Sequence, residues 1–196
     1  VWTNVGDAHV GHFGSREAVA DAKAEILEHA GPSTVVVANA DDPLVMTRVR
    51  AHGVRALTFG EAPAADVRAT TVVDRGFDGV DAHIASGDET ADVHVPLPGR
   101  ANLSNVLAAI AAVGACGVSL ARVVPGVAAL RPVARRGSSH ALATGVRVID
   151  DSYNASPAAV DAALATLAAT PATGRRVAVI GEMLELGSLS DALHEA

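Results

Sequence analysis

Residues 146–157 read Val-Arg-Val-Ile-Asp-Asp-Ser-Tyr-Asn-Ala-Ser-Pro, and no other stretch limits the possible folds as much. Val146, Val148 and Ile149 read as a short strand. Asp150 and Asp151 then interrupt it with two acids where a buried strand would carry apolar side chains. Ser156 and Pro157 follow as a helix start, with serine as N-cap and proline in the first helical position, where its missing N–H costs nothing. Val160, Leu164 and Leu167 then recur at helical spacing. The polar cluster Asp150, Asp151, Ser152, Tyr153 and Asn154 therefore sits between the C-terminal end of a strand and a helix N-terminus, where open α/β sheets bind ligands. Asp, Ser and Asn are also ordinary turn residues, so a solvated βα turn is equally open at this point.

The rest of the chain alternates in the same way. Residues 1–5 read as the end of a buried strand, and Gly6 and Asp7 open a loop that carries His9 and His12. Ser15 caps a helix running to about residue 29, with Glu17 well placed in its first turn. Val19, Ala22, Ile26, Leu27 and Ala30 form one face of it, and Glu17, Asp21, Glu25 and Glu28 the other. Lys23 falls near the middle of the apolar face. Ammonium groups are almost never buried unpaired, so Lys23 either snorkels to solvent or has a special role. Residues 33–38 fit a parallel buried strand, ending in Asn-Ala-Asp-Asp-Pro at 39–43. Residues 54–59 form a further strand closed by Gly60. Between 66 and 96 the pattern alternates, with Gly76, Gly79 and Gly87 at turns, which predicts antiparallel hairpins. The acids there (Asp74, Asp78, Asp81, Asp88, Glu89, Asp92) are read as a solvated face. Pro-Gly-Arg-Ala-Asn-Leu-Ser-Asn at 98–105 introduces an Ala-rich helix to about Gly114, and 119–130 is a second amphipathic helix stopped by Arg131 and Pro132. Residues 177–180 read as a buried strand ending at Gly181 and Glu182.

With 49% apolar but only 3% aromatic residues, any core must be built from Ala, Val and Leu. A chain of 196 residues holds one large domain or parts of two. The net charge of -7 argues against a nucleic-acid footprint and against binding to acidic membranes, and no apolar run reaches spanning length. Cys116 is alone, which excludes an internal disulfide, and its Ala-rich surroundings predict a small core residue. Neither end reads as natural: there is no Met or signal-like start, and the last residues lie part-way through a helical pattern. An internal fragment is expected.

Asp-Asp-Ser-Tyr-Asn-Ala-Ser-Pro at 150–157, together with Gly-Glu-Met-Leu-Glu-Leu-Gly at 181–187, resembles the Mur ligase family. Thr-Asn-Val-Gly-Asp-Ala-His at 3–9, Ala-Lys-Ala-Glu-Ile at 22–26, and the motifs at 39–43 and 98–105 occur in the family's order and span nearly the whole chain. Any one of them is weak; the ordered set is specific. The resemblance implies an α/β fold with most of a central ATP-binding domain over 1–131. The first half of a Rossmann-like C-terminal ligase domain would follow over 132–196. No Gly-x-x-x-x-Gly-Lys-[Ser/Thr] phosphate loop occurs in the chain, and in the family it lies upstream of the residue matching Val1, with a metal-binding glutamate.

The same resemblance assigns roles. A lysine at the position of Lys23 is commonly carbamylated in the family and helps fix Mg2+, with a histidine at the position of His9 as a ligand of that ion; magnesium prefers oxygen, so His9 rests on resemblance alone. An asparagine at the helix start reads adenine, which fits Asn105 first and Asn102 second, the latter also serving as a simple helix cap. Position 101, usually histidine in the family, is alanine here. Arg136 would face the ATP phosphates and Asp151 the ribose, while Ser152, Tyr153 and Asn154 would face an incoming dipeptide. The 39–43 motif receives no catalytic role. The implied activity is ATP-dependent peptide-bond formation in peptidoglycan precursor synthesis. It would join D-alanyl-D-alanine to UDP-N-acetylmuramoyl-tripeptide through an acyl phosphate, in a cytoplasmic monomer. A sister ligase, a folylpolyglutamate synthase-like ligase and a non-catalytic nucleotide-binding relic are the alternatives; the 150–157 signature argues against the first two, and Ala101 is what favours the last.

Overall fold

The computed structural model describes residues 1–7 and 10–195. Its body is one five-stranded mixed sheet, β1 (Val36–Asn39), β2 (Ala56–Gly60), β3 (Val67–Asp74), β4 (Val80–Ser86) and β5 (Glu89–Val95), in that spatial order. β1 pairs with β2, and β2 with β3, in parallel; β3–β4 and β4–β5 are antiparallel. The β1–β2 pair needs a crossover, supplied by α3 (Pro43–His52), whose start is set by Asp42 as N-cap and Pro43 in its first turn; β2 and β3 pair only at Phe59–Val67 and Gly60–Arg68, through the short connection 61–66. Gly53 ends it in the left-handed region, at φ 63°. The antiparallel half needs only tight turns. Residues 87 and 88 form a two-residue connection between the paired Ser86 and Glu89, with Gly87 at φ 58°. Trp2 adds a single parallel bridge to Ala38 at the far edge, in place of the longer strand end read from residues 1–5.

Helices cover this sheet on both faces. α4 (Gly99–Ala115) and α5 (Leu120–Ala128) close a core containing Phe59, Ile84, Leu103, Leu107 and Ile110. α2 (Arg16–Ala24) and α3 close a smaller one around Trp2, Val5, Val19, Val45 and Val49. Each large side chain buried there contributes about 1.5–3 kcal/mol. The helix start at Ser15 is as read, with its hydroxyl accepting from the Ala18 N–H at 3.1 Å. The face is not. Regular α2 stops at Ala24 and a 3-10 turn follows over Glu25–Leu27, so the rotation per residue changes. The buried side becomes Val19, Ala20, Ala24 and Leu27, Ile26 is 63% exposed, and Lys23 is exposed beside the apolar stripe and not within it. Cys116 is likewise exposed, because it lies at the C-terminal cap of α4, beyond the last turn that the core covers.

From residue 132 the architecture thins. β6 (Ser138–Ala141) and β7 (Arg147–Asp150) pair only with each other, antiparallel, and α6 (Pro157–Ala169) follows with Ser156 as N-cap and Pro157 in its first turn. β7 runs one residue further than expected, since Asp150 pairs with Ser138. The buried residues of α6 and its cap are Thr166 and Thr170, whereas Leu164 is 40% exposed. Thr170 accepts from the Phe77 N–H at 3.0 Å, and any Cβ at Gly76 or Gly99 would overlap Thr170 or Thr166. The helix thus seats its polar side on the sheet body. Residues 177–180 form no strand: among the described residues no neighbour receives their backbone bonds, and Val177, Val179 and Ile180 are 70%, 97% and 55% exposed. No helix among the described residues is long and apolar enough to cross a membrane.

Candidate functional site: two polar clusters

The first cluster is built around the loop 3–7. Asn39 donates its amide to the Thr3 carbonyl at 2.8 Å, Lys23 its Nζ to the Asn4 carbonyl at 3.0 Å, and Arg16 its Nη2 to the Val5 carbonyl at 3.0 Å. The Val5 N–H donates in turn to Asp42 Oδ2 at 2.7 Å, while Asp42 Oδ1 caps α3 at Leu44 and Val45. Asp41 accepts from the N–H groups of Glu61 and Ala62, at 2.8 and 2.7 Å. The polar residues of the 39–43 motif are thus consumed by the fold: Asn39 and Asp42 clamp the loop 3–7, and Asp41 the turn at 61–62. The Asp-Pro pair was readable as a helix cap, but its second carboxylate oxygen, on a loop 37 residues away, was not. Exposure of Lys23 removes the burial anomaly, so the case for its carbamylation now rests on the resemblance and on its place against this loop. His9 lies outside the described residues. His12 is exposed.

The second cluster joins the start of α4 to the turn 135–137 and the loop 150–154. Asn102 donates its amide to the Pro98 carbonyl at 2.7 Å, a bond back to the residue four before it that commits that side of the group. Asn105 and Ala101 are exposed on the same helix. Gly137, at φ 75°, packs against Pro98 so closely that a Cβ would overlap the ring. Beside it the Arg136 guanidinium lies 4.0 Å above the centroid of the Tyr153 ring, and the Tyr153 N–H donates to the Arg135 carbonyl at 3.2 Å. Ser152 and Asn154 are exposed alongside. Arg136, Asp151, Ser152, Tyr153 and Asn154 are therefore brought together, next to the helix that carries Asn102 and Asn105; Lys23 belongs to the other cluster.

The two adjacent acids are driven apart. Ser152 donates its hydroxyl (2.6 Å) and its N–H (3.1 Å) to Asp150, which holds that carboxyl below its ordinary value. Asp151 is raised, chiefly because its carboxyl is partly shielded from water and also because Asp150 is near; the Gly137 N–H and Arg136 oppose the shift. Of the two carboxyls the raised one, Asp151, is the stronger base and acceptor.

Elsewhere, an open concavity of about 550 Å³ lies on the outer face of β3–β5. Its histidines are spent in cross-strand pairs, His83 with Asp92 at 2.8 Å and His94 with Asp81 at 2.6 Å, so the solvated acidic face read from the sequence is a laced one. A last contact ties the chain's two ends. The Gly11 N–H, in α1 (Val10–Phe13), donates to the Glu185 carbonyl at 3.2 Å, and Met183 and Leu186 beside it are buried.

Residues 1–113 match the Mur ligase middle domain, and residues 135–196 the Mur ligase glutamate ligase domain. The UDP-N-acetylmuramoyl-tripeptide–D-alanyl-D-alanine ligase of Mycobacterium tuberculosis H37Rv is 38% identical over 98% of this chain and 39% of its own length. A MurF crystal structure from Acinetobacter baumannii superposes with a TM-score of 0.90 at 31% identity, covering 98% of this chain and 41% of that one. The Thermotoga maritima MurF ligase in complex with ADP gives 0.84 at 28%, covering 99% and 44%. The chain thus spans about two fifths of the length of the relatives it matches. With both family domains matched in order, the chain belongs to the Mur ligase family.

Proposed function

We propose that this chain is the nucleotide-handling part of a cytoplasmic, monomeric ATP-dependent ligase in peptidoglycan precursor synthesis. It would join D-alanyl-D-alanine to the carboxylate of UDP-N-acetylmuramoyl-tripeptide, with the central domain over 1–131 and the last over 132–196. The observation that carries this reading is the ordered match to both family domains, with relatives named for that reaction.

ATP and the tripeptide carboxylate are the substrates of the first half-reaction, and the residues here position and neutralise without entering covalent chemistry. Asn105, exposed on α4, offers a donor and an acceptor to the adenine edge, with Asn102 held back by its bond to Pro98. Arg136 supplies a cation to the phosphates, and Asp151 accepts from a ribose hydroxyl. Ser152, Tyr153 and Asn154 line the end where the dipeptide amine arrives. Among the described residues no group of three or more His, Cys, Asp or Glu side chains could hold a metal. The family resemblance implies that a magnesium ion would draw on Lys23 as its carbamate and on His9. The exposed Lys23 amine is open to carbon dioxide, which fits that need. When bound, the ion would offset phosphate charge.

The reading is tested at Lys23 in the complete protein. Lys23→Ala loses most ligase activity, and a small added carboxylic acid restores part of it by filling the vacated space. Full activity of Lys23→Ala at saturating magnesium refutes the metal-linked role. Ala101 is the one feature on the side of a non-catalytic nucleotide-binding relic, and absence of ATP turnover in the unmodified complete protein would favour it.

A further inference from the structure

We propose that Tyr153 is a positioning residue for Arg136, acting through the face of its ring and not through its hydroxyl. The guanidinium carbon stands 4.0 Å over the ring centroid, inside the range where an aromatic quadrupole attracts a cation. Both residues are exposed, Tyr153 by 63%, yet their backbones are fixed to one another. The Tyr153 N–H donates to the Arg135 carbonyl at 3.2 Å, and Arg135 and Gly137 hold the left-handed region at φ 63° and 75°. Turn and loop are thus tied beside the stacked pair.

An exposed arginine ordinarily samples many rotamers, and its ordering is costly. Among the described residues no carboxylate lies within ion-pair distance of Arg136, so the ring is the group that orients it. Stacking spends the face of the guanidinium and leaves its five edge donors in the plane, free for a bidentate anion such as a phosphate. A carboxylate in place of the ring would orient the arginine equally well but would occupy those same donors. The Tyr153 hydroxyl has no hydrogen-bond partner among the described residues, so nothing in the packing calls for it.

The proposal rests on Arg136 facing phosphate, but its geometry can be tested without that reading. In this chain, the Arg136 Hδ and Hε resonances shift upfield through the ring current of the single tyrosine. Tyr153→Phe keeps the shift and Tyr153→Leu abolishes it. In the complete protein, Tyr153→Phe leaves the ATP KM within about twofold, while Tyr153→Leu raises it by about two- to fivefold, the size expected of an exposed cation–π contact. Tyr153→Leu made in an Arg136→Gln background adds less than it does alone. A missing ring-current shift, a Tyr153→Phe variant as impaired as Tyr153→Leu, or strictly additive KM effects would each overturn the proposal. If the unmodified complete protein turns over no ATP, the ligase reading falls, and the ring-current comparison still decides the contact.

Discussion

Residues 36–39 and 177–180 make a direct comparison. Val-Val-Ala-Asn and Val-Ala-Val-Ile have the same apolar, β-branched character, and both predict a buried strand. The first is fully buried between the Trp2 bridge, β2 and flanking helices; the second pairs with nothing, and Val179 is 97% exposed. The difference extends to the regions around them. Both core clusters lie within residues 2–127, and after Val127 the buried apolar residues among those described are Met183 and Leu186 alone. An apolar run specifies a strand only when neighbours are present to take its backbone bonds and cover its faces. The body of the chain supplies them. The later part is held by small, specific contacts: Thr166 and Thr170 against Gly76 and Gly99, Arg147 with Asp78 at 2.7 Å, Gly137 on Pro98, and Gly11 on Glu185.

The largest test of this contrast is a pair of truncations in the chain. Phe59→Ala, in the body, costs about 3–5 kcal/mol by denaturant unfolding, whereas Val179→Ala changes stability by less than about 0.5 kcal/mol. Comparable losses at the two sites would erase the distinction.

A smaller effect tests the docking. Gly11 sits in a helix at ordinary φ, so with nothing packed on it alanine would stabilise by about 1 kcal/mol. A Cβ there would lie 2.6 Å from the Gly187 nitrogen and 2.8 Å from the Leu186 carbonyl carbon, both backbone atoms that cannot swing aside. Gly11→Ala therefore destabilises the seating of 183–187 by about 1–3 kcal/mol, read as faster amide exchange over 183–189 with β1–β5 unaffected. Unchanged or slower exchange would mean that the two ends do not meet as described.

Much of this was readable in advance. The Gly87 turn and the start of α6 carry local chemistry that needs no partner to be recognised; the same chemistry at Asp42 and Pro43 starts α3, a helix the reading of 39–53 passed over. What escaped depends on neighbours distant in sequence. The buried side of the first long helix runs through Val19, Ala20, Ala24 and Leu27, which leaves Ile26 and Lys23 exposed. The polar threonines of α6 gave no core signal, although they are what that helix buries. At the site, the residue types of the 150–154 cluster were legible, but the stacking of Arg136 on Tyr153 and the divergence of the two acids were not, since both need the fold of 135–137 against the loop.

That divergence gives the smallest prediction. With Asp150 lowered, its contribution to stability is present above the ordinary value of 3.8 and is lost as pH falls through the lower folded value. With Asp151 raised, the sign reverses: its contribution is present below 3.8 and is lost as pH rises through the higher folded value. Carboxyl carbon titrations place the Asp150 midpoint below that of Asp151, and Ser152→Ala narrows the gap. Coincident midpoints would remove the basis for giving the two acids different roles.

The central claim is that the nucleotide is gripped from both regions, by Asn105 on α4 and by Asp151 beyond the turn at 137. Steady-state kinetics of Asn105→Ala and Asp151→Asn in the complete protein test it most directly. Each variant is expected to raise the ATP KM by about tenfold while lowering kcat by less. A large loss of kcat at unchanged ATP KM in Asp151→Asn would instead make Asp151 a catalytic group and leave nucleotide binding to the sheet body alone.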